Sequence, residues 1–518
     1  MALKSFFRSI RGALVPPADT INREAAPAFE LTPKHRLAQL VSTSCVAGTF
    51  YASAETHFDE LLALAAQVDP AFVGKAAVHA RARGRMKDAP VTLVAWLSKA
   101  APDVFAAVFP RVVDDGRTLR TFVQILRSGR VGRKSLGSRP KRLVEAWFDA
   151  RTDEQVFRAS VGNDPSLADV VKMVHPKPST PSRSALYAWL LGRPYDAAAL
   201  PEVVARFEAW KADRTSDVPD VPFPMLTALP LPAAAWATIA RRAPWQTLRM
   251  NLNTYHRHGA FEADPGLAAH LAARLAARDE VVRSKTYPYQ VLAAFKALDA
   301  KAPAILSAAL QDALEASLEN VPTLDGAVRV CVDVSGSMNS PVTGERGAGT
   351  TSVTCRDVAA LFASAILRKH PTARVLPFHD RVEAVTLNPR DSVATNAMRL
   401  ASLPSGGTDC SAPLALLNAE GDRGDLVIYL SDNQSWLDAA GTRGTGTLEQ
   451  WRAYRVRNPK ARLVCVDLQP HGTTQAPEAD DVLNVGGFSD AVFDLVGEFA
   501  RGGLAAEPWV KAIEAIVL

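Results

Sequence analysis

The stretch Val328 to Asn339, V-R-V-C-V-D-V-S-G-S-M-N, constrains this chain more than any other. Its opening run is rich in β-branched residues and long enough for one buried parallel strand. The strand breaks into Asp333-x-Ser335-x-Ser337, with Gly336 permitting a tight turn. One carboxylate and two hydroxyls from a single loop suit a hard divalent cation, Mg²⁺ above all, which keeps waters and takes few carboxylates. Taken alone, Ser and Gly after a strand make an ordinary turn.

Two later loops change the balance. Leu426 to Leu430 is a second apolar run that ends in an acid, Ser431-Asp432-Asn433. Between the two lies Pro404-Ser-Gly-Gly-Thr408-Asp409, whose glycines bring the Thr408 hydroxyl within reach of a metal. Open α/β sheets bind ligands at the carboxyl ends of their strands, where Asp333 and Asp432 both stand. D-x-S-x-S, then G-G-T, then an apolar strand ending in S-D resembles a von Willebrand factor A (vWA) domain with its metal-ion-dependent adhesion site. The resemblance implies a Mg²⁺ site, or one for another divalent cation, built from Asp333, Ser335, Ser337, Thr408 and Asp432.

With 518 residues the chain is long enough for two or more cored domains. The basic N-terminus lacks a sustained apolar core and an A-x-A site, so no signal peptide is read there. No apolar stretch reaches membrane-spanning length. Five scattered cysteines, none in C-x-x-C, indicate neither a disulfide framework nor a zinc site, and a cytoplasmic location is expected. Charge is unevenly placed: residues from 321 onward carry 18 Lys and Arg against 23 Asp and Glu, the remainder 41 against 31. A basic N-terminal part points to a polyanion partner.

Residues 1–20 read as a flexible arm. From about 30 to 320 the pattern is helical almost throughout, in helices of ordinary length joined by short loops, and no strand-rich window stands out. Such a series suggests an α-solenoid of HEAT type, although no strict repeat is visible. Within it, Arg117, Arg120, Arg127, Arg130, Arg133, Lys134, Arg139, Lys141 and Arg142 follow one another without an intervening acid. Cations in that density are expected to contact phosphate rather than form helix-surface ion pairs; the competing reading is a solvated basic face. Further on, Leu167-Ala-Asp-Val-Val-Lys172-Met-Val-His175-Pro-Lys177-Pro predicts a helix stopped by Pro176 and Pro178, leaving His175 and Lys177 exposed. A histidine there can stack on or hydrogen-bond a base, or merely cap the helix.

L-x-D-V-V-K-M-V-H-P-K-P closely resembles the signature of TROVE modules, the RNA-binding ring of the Ro60 autoantigen family. Asn22 with Ala47-Gly-Thr-Phe-Tyr51, Ser138 to Trp147, Leu248 to Leu252 and Thr286 to Leu292 agree, as do V-D-V-S-x-S-M-N, G-G-T-D-C and Asp432-Asn433 in the second half. The resemblance covers the chain from about residue 20 to its end and is of the bacterial type. It departs at Gly162, where vertebrate relatives carry a basic residue; Arg158, one turn earlier, is expected to serve instead.

Alternating strands and helices after about residue 325 predict a doubly wound, mostly parallel sheet. Strands are expected at 327–334, 373–378, 382–386, 425–431, 461–467 and 482–486, with the second and third forming a hairpin that adds an antiparallel edge strand. The expected architecture is a multidomain chain: the arm, an all-α HEAT-like TROVE ring over 21–322, and an α/β vWA domain over 323–518. The resemblance implies a monomeric, non-enzymatic RNA-binding protein without a membrane partner. Its partners would be Y-like small noncoding RNA on the outer basic surface, the 3′ ends of misfolded or precursor RNA in the ring, and an exoribonuclease such as polynucleotide phosphorylase. Lys172, His175, Lys177 and Arg158 join the nine cations as RNA contacts. Two other readings compete: a Mg²⁺-dependent adhesion or scaffold module, and a hydrolase using Asp333, Asp409 and Asp432 to activate water.

Overall fold

Eight strands and a long series of helices make up the computed structural model, which describes residues 16–43, 54–214, 217–286, 288–321, 323–344, 351–435, 444–487, 490–501 and 508–518. Most of the expected arm and all of Ala47–Tyr51 lie outside these. The strands are β1 (Thr20–Ile21), β2 (Pro27–Glu30), β3 (Val328–Asp333), β4 (Arg374–Phe378), β5 (Leu426–Ser431), β6 (Arg462–Asp467), β7 (Thr473–Thr474) and β8 (Val482–Gly486). Contacts divide the chain into two compact units: 69–280 with 298–309 and 517–518, and 1–68 with 281–297 and 310–516. The division follows contact rather than chain order, so the N-terminal segment groups with the sheet and not with the helices that follow it.

The helical unit is built from neighbours in sequence. Helix Pro70–Ala82 packs on Asp88–Ala100 and Pro102–Val112, and Gly116–Arg127 packs in turn on Asp88–Ala100. Aromatic side chains fill successive layers: Phe105, Phe109 and Phe122, then Trp147, Phe148 and Tyr187, then Phe157, Trp189 and Phe207. Edge-to-face pairs dominate, as the ring quadrupoles favour. Short helices survive because their ends are satisfied: Asp115 with Thr118, Thr152 with Gln155, and Ser166 with Asp169 each close a reciprocal cap.

The sheet unit carries a five-stranded sheet in the order β4-β3-β5-β6-β8, every pair parallel. Alternate residues Cys331, Leu376, Phe378, Val427, Tyr429, Leu463 and Cys465 point into one core, closed by Leu414 and Leu417 of one helix and Leu448, Trp451 and Tyr454 of another. Helices Cys355–Lys369 and Asp490–Ala500 also pack on the sheet. Nearly continuous apolar runs are what a strand covered on both faces requires.

The expected hairpin is not formed. After β4 only one isolated bridge, Phe378 to Val382, appears, and 383–386 is not a strand. Proline explains it. Phe378 gives its carbonyl inward to the Val334 amide at 2.8 Å, so the Pro377 carbonyl faces outward, where it accepts from Glu383 N at 2.8 Å. Pro377 has no N–H to return, and an added strand would lack that bond.

A small antiparallel sheet, β1-β2-β7, fastens the N-terminal segment to the same unit. Its turn is held by Asn22, which is buried. Asn22 Oδ1 accepts from the amides of Glu24 and Ala26, both at 3.0 Å, while Nδ2 donates to the Ser435 carbonyl. Helix Pro33–Thr43 follows, with His35 Nε2 2.8 Å from the Asn484 carbonyl. Asn22→Ala would strand three backbone groups, at about 1–3 kcal/mol for each that stays dry. We expect it to destabilise the sheet unit by about 2–4 kcal/mol in denaturant unfolding, with Asn22→Asp, which keeps the turn and loses only the donor, losing less. Equal stability of Asn22→Ala and wild type would show that the turn holds without its side chain.

Candidate metal centre and nucleic-acid interface

The structure brings the five predicted metal-site residues to one end of the sheet. β3 delivers Asp333 and β5 delivers Ser431, each one residue past the paired Val332 and Leu430, and Ser431 Oγ donates to Asp333 Oδ2 at 2.6 Å. Asp333 Oδ1 accepts from the Ser335 amide at 2.8 Å, which folds the D-x-S-x-S loop back over its own strand. Ser335 Oγ and Ser337 Oγ stand 3.3 Å apart. The Gly336 amide donates to the Gly406 carbonyl at 3.2 Å, drawing in the loop that carries Thr408. Gly406 is required there, because a Cβ would lie 2.5 Å from His379 Nδ1. Asp432, Gln434 and Ser435 close the far side: Gln434 N donates to Asp432 Oδ1 at 3.2 Å and Ser435 Oγ to the Thr408 carbonyl at 3.3 Å.

Electrostatically the site holds more negative charge than its surroundings offset. Asp333, Asp432 and Asp467 are all buried. Burial, followed by the charge of Asp333, pushes Asp432 up to about 7. Burial also raises Asp333, partly countered by its bonds to Ser335 and Ser431 and by the Arg356 charge. Arg356 itself is tied to Ser405 Oγ and the Leu403 carbonyl. Three hydroxyls beside two buried acids therefore form a donor set that fits a hard cation, with oxygen ligands and room for water. Among the described residues no three His, Cys, Asp or Glu side chains converge into a cluster of their own, so the hydroxyls are essential to that fit.

Sequence reasoning missed Asp467. It ends β6, directly across from Ser431, and its Oδ2 accepts from Asn433 Nδ2 at 3.3 Å while Oδ1 is buried without a partner. The signal was present: β6 ends V-C-V-D, as β3 does. The third acid of the hydrolase reading, Asp409, accepts through Oδ1 from Ser411 N at 2.8 Å and from Ser411 Oγ at 2.7 Å.

The basic stretch behaves less uniformly than the sequence implied. Arg139 pairs with Asp103 at 2.8 Å, Arg117 lies 3.7 Å from Asp88, and Arg158 joins Glu154 at 2.8 Å and Asp220 at 2.9 Å. Apart from Glu154, one turn before Arg158 on the same helix, these acids come from elsewhere in the chain, which a local count cannot see. Arg133 donates to the carbonyls of Ser98 and Leu136 within the loop before helix Ser138–Asp149. Arg127, Lys134, Lys141 and Arg142 make no ion pair within 4 Å among the described residues, and Arg127, Arg130, Lys134 and Arg142 are exposed. Arg120 lies against Gly162, where a Cβ would fall 2.4 Å from its guanidinium, so Arg120 fills the space that a side chain at 162 would need.

Helix Leu167–Val174 packs against both Gly116–Arg127 and Ser138–Asp149, which places the H-P-K-P segment beside the basic helices. Lys172 is 3.9 Å from Asp169. His175 ends the helix in the left-handed conformation, φ 54°, and its side chain and that of Lys177 are exposed. Pro176 between them is buried and fixes the exit.

Residues 328–500 match the Ro60 vWA domain family. The chain is 25% identical to an RNA-binding protein RO60 of Deinococcus radiodurans, over 92% of this chain and 94% of that one. The crystal structure of the Deinococcus radiodurans RO (RSR) protein aligns with a TM-score of 0.63 at 22% identity, covering 91% of this chain and all of that one.

Burial and the Asp432 charge hold Asp467 well above the usual carboxylate range. It therefore binds its proton more tightly folded than unfolded, and the stability it contributes is lost as pH rises above the unfolded value of about 4. In chelator, Asp467→Asn should match wild type near pH 4 and melt higher at pH 8. A lower melting temperature at pH 8 would show instead that the ionised form is the one the fold prefers.

Proposed function

We propose that this chain, which matches the Ro60 vWA domain family over residues 328–500 and is similar to an RNA-binding protein RO60 over most of its length, is an RNA-binding protein of that type acting in noncoding-RNA quality control. Structured, Y-like small RNA would lie on the basic surface of the helical unit, and single-stranded 3′ ends of misfolded or precursor RNA would be its second class of ligand. An exoribonuclease would then mature or degrade what is held. The observation that carries this reading is the set of cations with no acid within 4 Å among the described residues, Arg127, Lys134, Lys141 and Arg142, on or next to helices that pack against the helix ending in the exposed His175 and Lys177. Phosphate contacts would position the RNA, while the exposed His175 offers an aromatic ring able to stack on or hydrogen-bond a base.

The same reading gives the vWA site a Mg²⁺, held by Ser335, Ser337 and Thr408 with Asp333 and Asp432 acting largely through water. The ion would offer an open position to an acidic group of a protein partner; the buried carboxylates beneath it would keep it in place. A binding role is favoured over hydrolysis because no group of three His, Cys, Asp or Glu that could hold a metal forms among the described residues. A cytoplasmic setting accords with the buried free thiols Cys331, Cys355, Cys410 and Cys465.

Filter binding with structured and single-stranded RNA at several salt concentrations tests the main claim. Each phosphate-bound cation adds about 0.7–0.9 to the salt slope, so Lys134→Ala/Lys141→Ala/Arg142→Ala should flatten it by about 2–3. His175→Ser should weaken structured RNA more than a single-stranded 3′ tail. No measurable RNA binding at low salt would end this reading. For the metal, titration calorimetry of Ser335→Ala/Ser337→Ala should lose most of the Mg²⁺ affinity with the melting temperature of the chelated protein unchanged; equal affinity would move the site elsewhere.

A further inference from the structure

At the end of the sheet away from the metal centre, an open pocket of about 650 Å³ lies where helices Gly446–Arg457 and Asp490–Ala500 finish and strands β6 and β8 begin. Five cations line it: Arg452, Arg455, Lys460, Arg462 and Arg501. They are five of the 18 Lys and Arg that the chain carries from residue 321 onward, in a stretch where acids are in excess. Open α/β sheets bind their usual ligands at the carboxyl ends of the strands, so the fold by itself does not call for a charged pocket at this end.

Protein partners account for only part of this charge. Arg455 Nε lies 3.0 Å from Asp481 Oδ2, and its Nη1 donates to the carbonyls of Pro459 and Ala461. Asp481 also accepts from Trp451 Nε1 at 3.0 Å, which fixes this wall of the pocket. Arg462 donates from Nη1 to the Phe499 carbonyl at 2.8 Å, using one of its five donors. Arg452, Lys460, Arg462 and Arg501 have no carboxylate within 4 Å among the described residues. Arg452 Nε is buried without a hydrogen-bond partner. The pocket's other acid, Asp480, is exposed and forms no ion pair among the described residues. Five positive charges thus face two negative ones, and the two helix C-termini subtract about half a charge each. An excess of about two positive charges is left without a counter-charge from the protein.

Among the described residues no aromatic ring lines the pocket, so nothing in it receives a base, and its volume is that of a small-molecule site. A ligand matched to it is compact, carries two or more negative charges and presents several oxygens to guanidinium forks. We propose that this pocket binds a phosphate-class oxyanion, either free phosphate or pyrophosphate or the terminal phosphate of a small metabolite. Arg452, Lys460, Arg462 and Arg501 would hold it, with Arg455, anchored by Asp481, as the fixed wall. A monoanion such as chloride or acetate would leave about half of the excess charge unmet. The sheet unit then has a second ligand at the opposite end from the metal centre, and the inference does not rest on the RNA-binding reading.

The test is titration calorimetry of the full chain, stripped of metal over a chelating resin, with sodium pyrophosphate, phosphate and glycerol phosphate at constant ionic strength. A charge-assisted contact is worth about tenfold in affinity or more. Pyrophosphate and phosphate should each bind at one site per chain, and acetate at least about tenfold more weakly. Lys460→Glu/Arg501→Glu, at two exposed positions, should weaken pyrophosphate about a hundredfold, and Arg452→Gln about tenfold. An unchanged melting temperature without anion establishes that the variants are folded. Lys134→Ala/Lys141→Ala/Arg142→Ala, in the helical unit, should bind pyrophosphate as wild type does. Glycerol phosphate binding as tightly as phosphate identifies a metabolite's terminal group as the ligand, and tighter binding of the inorganic anions identifies the free anion; both support the pocket. No pyrophosphate binding by wild type, unchanged affinity in folded Lys460→Glu/Arg501→Glu, or affinity lost in the helical-unit variant overturns it. Displacement of pyrophosphate by a short single-stranded RNA at equal phosphate concentration would make the pocket part of a nucleic-acid track, against the proposal.

Discussion

The Ser431 hydroxyl donates to Asp333 across the seam between two parallel strands, and the loops at that end of the sheet are arranged around this bond. A buried carboxylate is tolerated only when its lone pairs are taken up. Here one oxygen is held by the neighbouring strand and the other by the Ser335 amide two residues on. Because Asp333 is fixed at both oxygens, the chain after it must turn back, and that turn sets Ser335 beside Ser337. The same network continues sideways, since Ser431 Oγ accepts from Asn433 N and Asn433 Nδ2 reaches Asp467. Four residues on three adjacent strand ends thus share one chain of hydrogen bonds, and altering any of them shifts the loops that the others hold.

The sheet was legible in the sequence because each of its strands is a short apolar run ended by an acid, a glycine or a turn, and periodicity reports such runs well. The exception at 382–386 is instructive. The short run Val382-Glu-Ala-Val-Thr386, with three small apolar residues, resembles an edge strand, but what forbids pairing is the missing N–H of Pro377 in the strand before it, a property of the partner and not of the segment. Asp467 escaped notice for a related reason. Its importance lies in standing opposite Ser431, and register is not readable from one strand at a time.

Reading the basic stretch as an unpaired block was likewise a local inference about a long-range quantity. Arg139 finds Asp103 and Arg158 finds Asp220, across 36 and 62 positions, so the usable charge is concentrated at fewer residues than the sequence displays. Arg120 and Gly162 show the converse. A position that looks like a lost cation is one where the fold has brought a cation from another helix, and the glycine is what makes space for it.

The turn at Asn22 has a consequence in time. Residues 20–43 leave the ribosome early, yet Asn22 bonds to Ser435, His35 to Asn484 and Lys34 to Glu514, partners 413, 449 and 480 positions later. At about 5–20 residues per second, the segment waits roughly 20 to 100 s for the residues that will receive it. Throughout that interval Phe29, Leu37, Leu40 and Val41, all buried in the finished fold, have no surface of their own to cover them. A segment made hundreds of residues before its partners is therefore among the last to be secured, and the nascent chain must keep an apolar stretch in solution until those partners arrive.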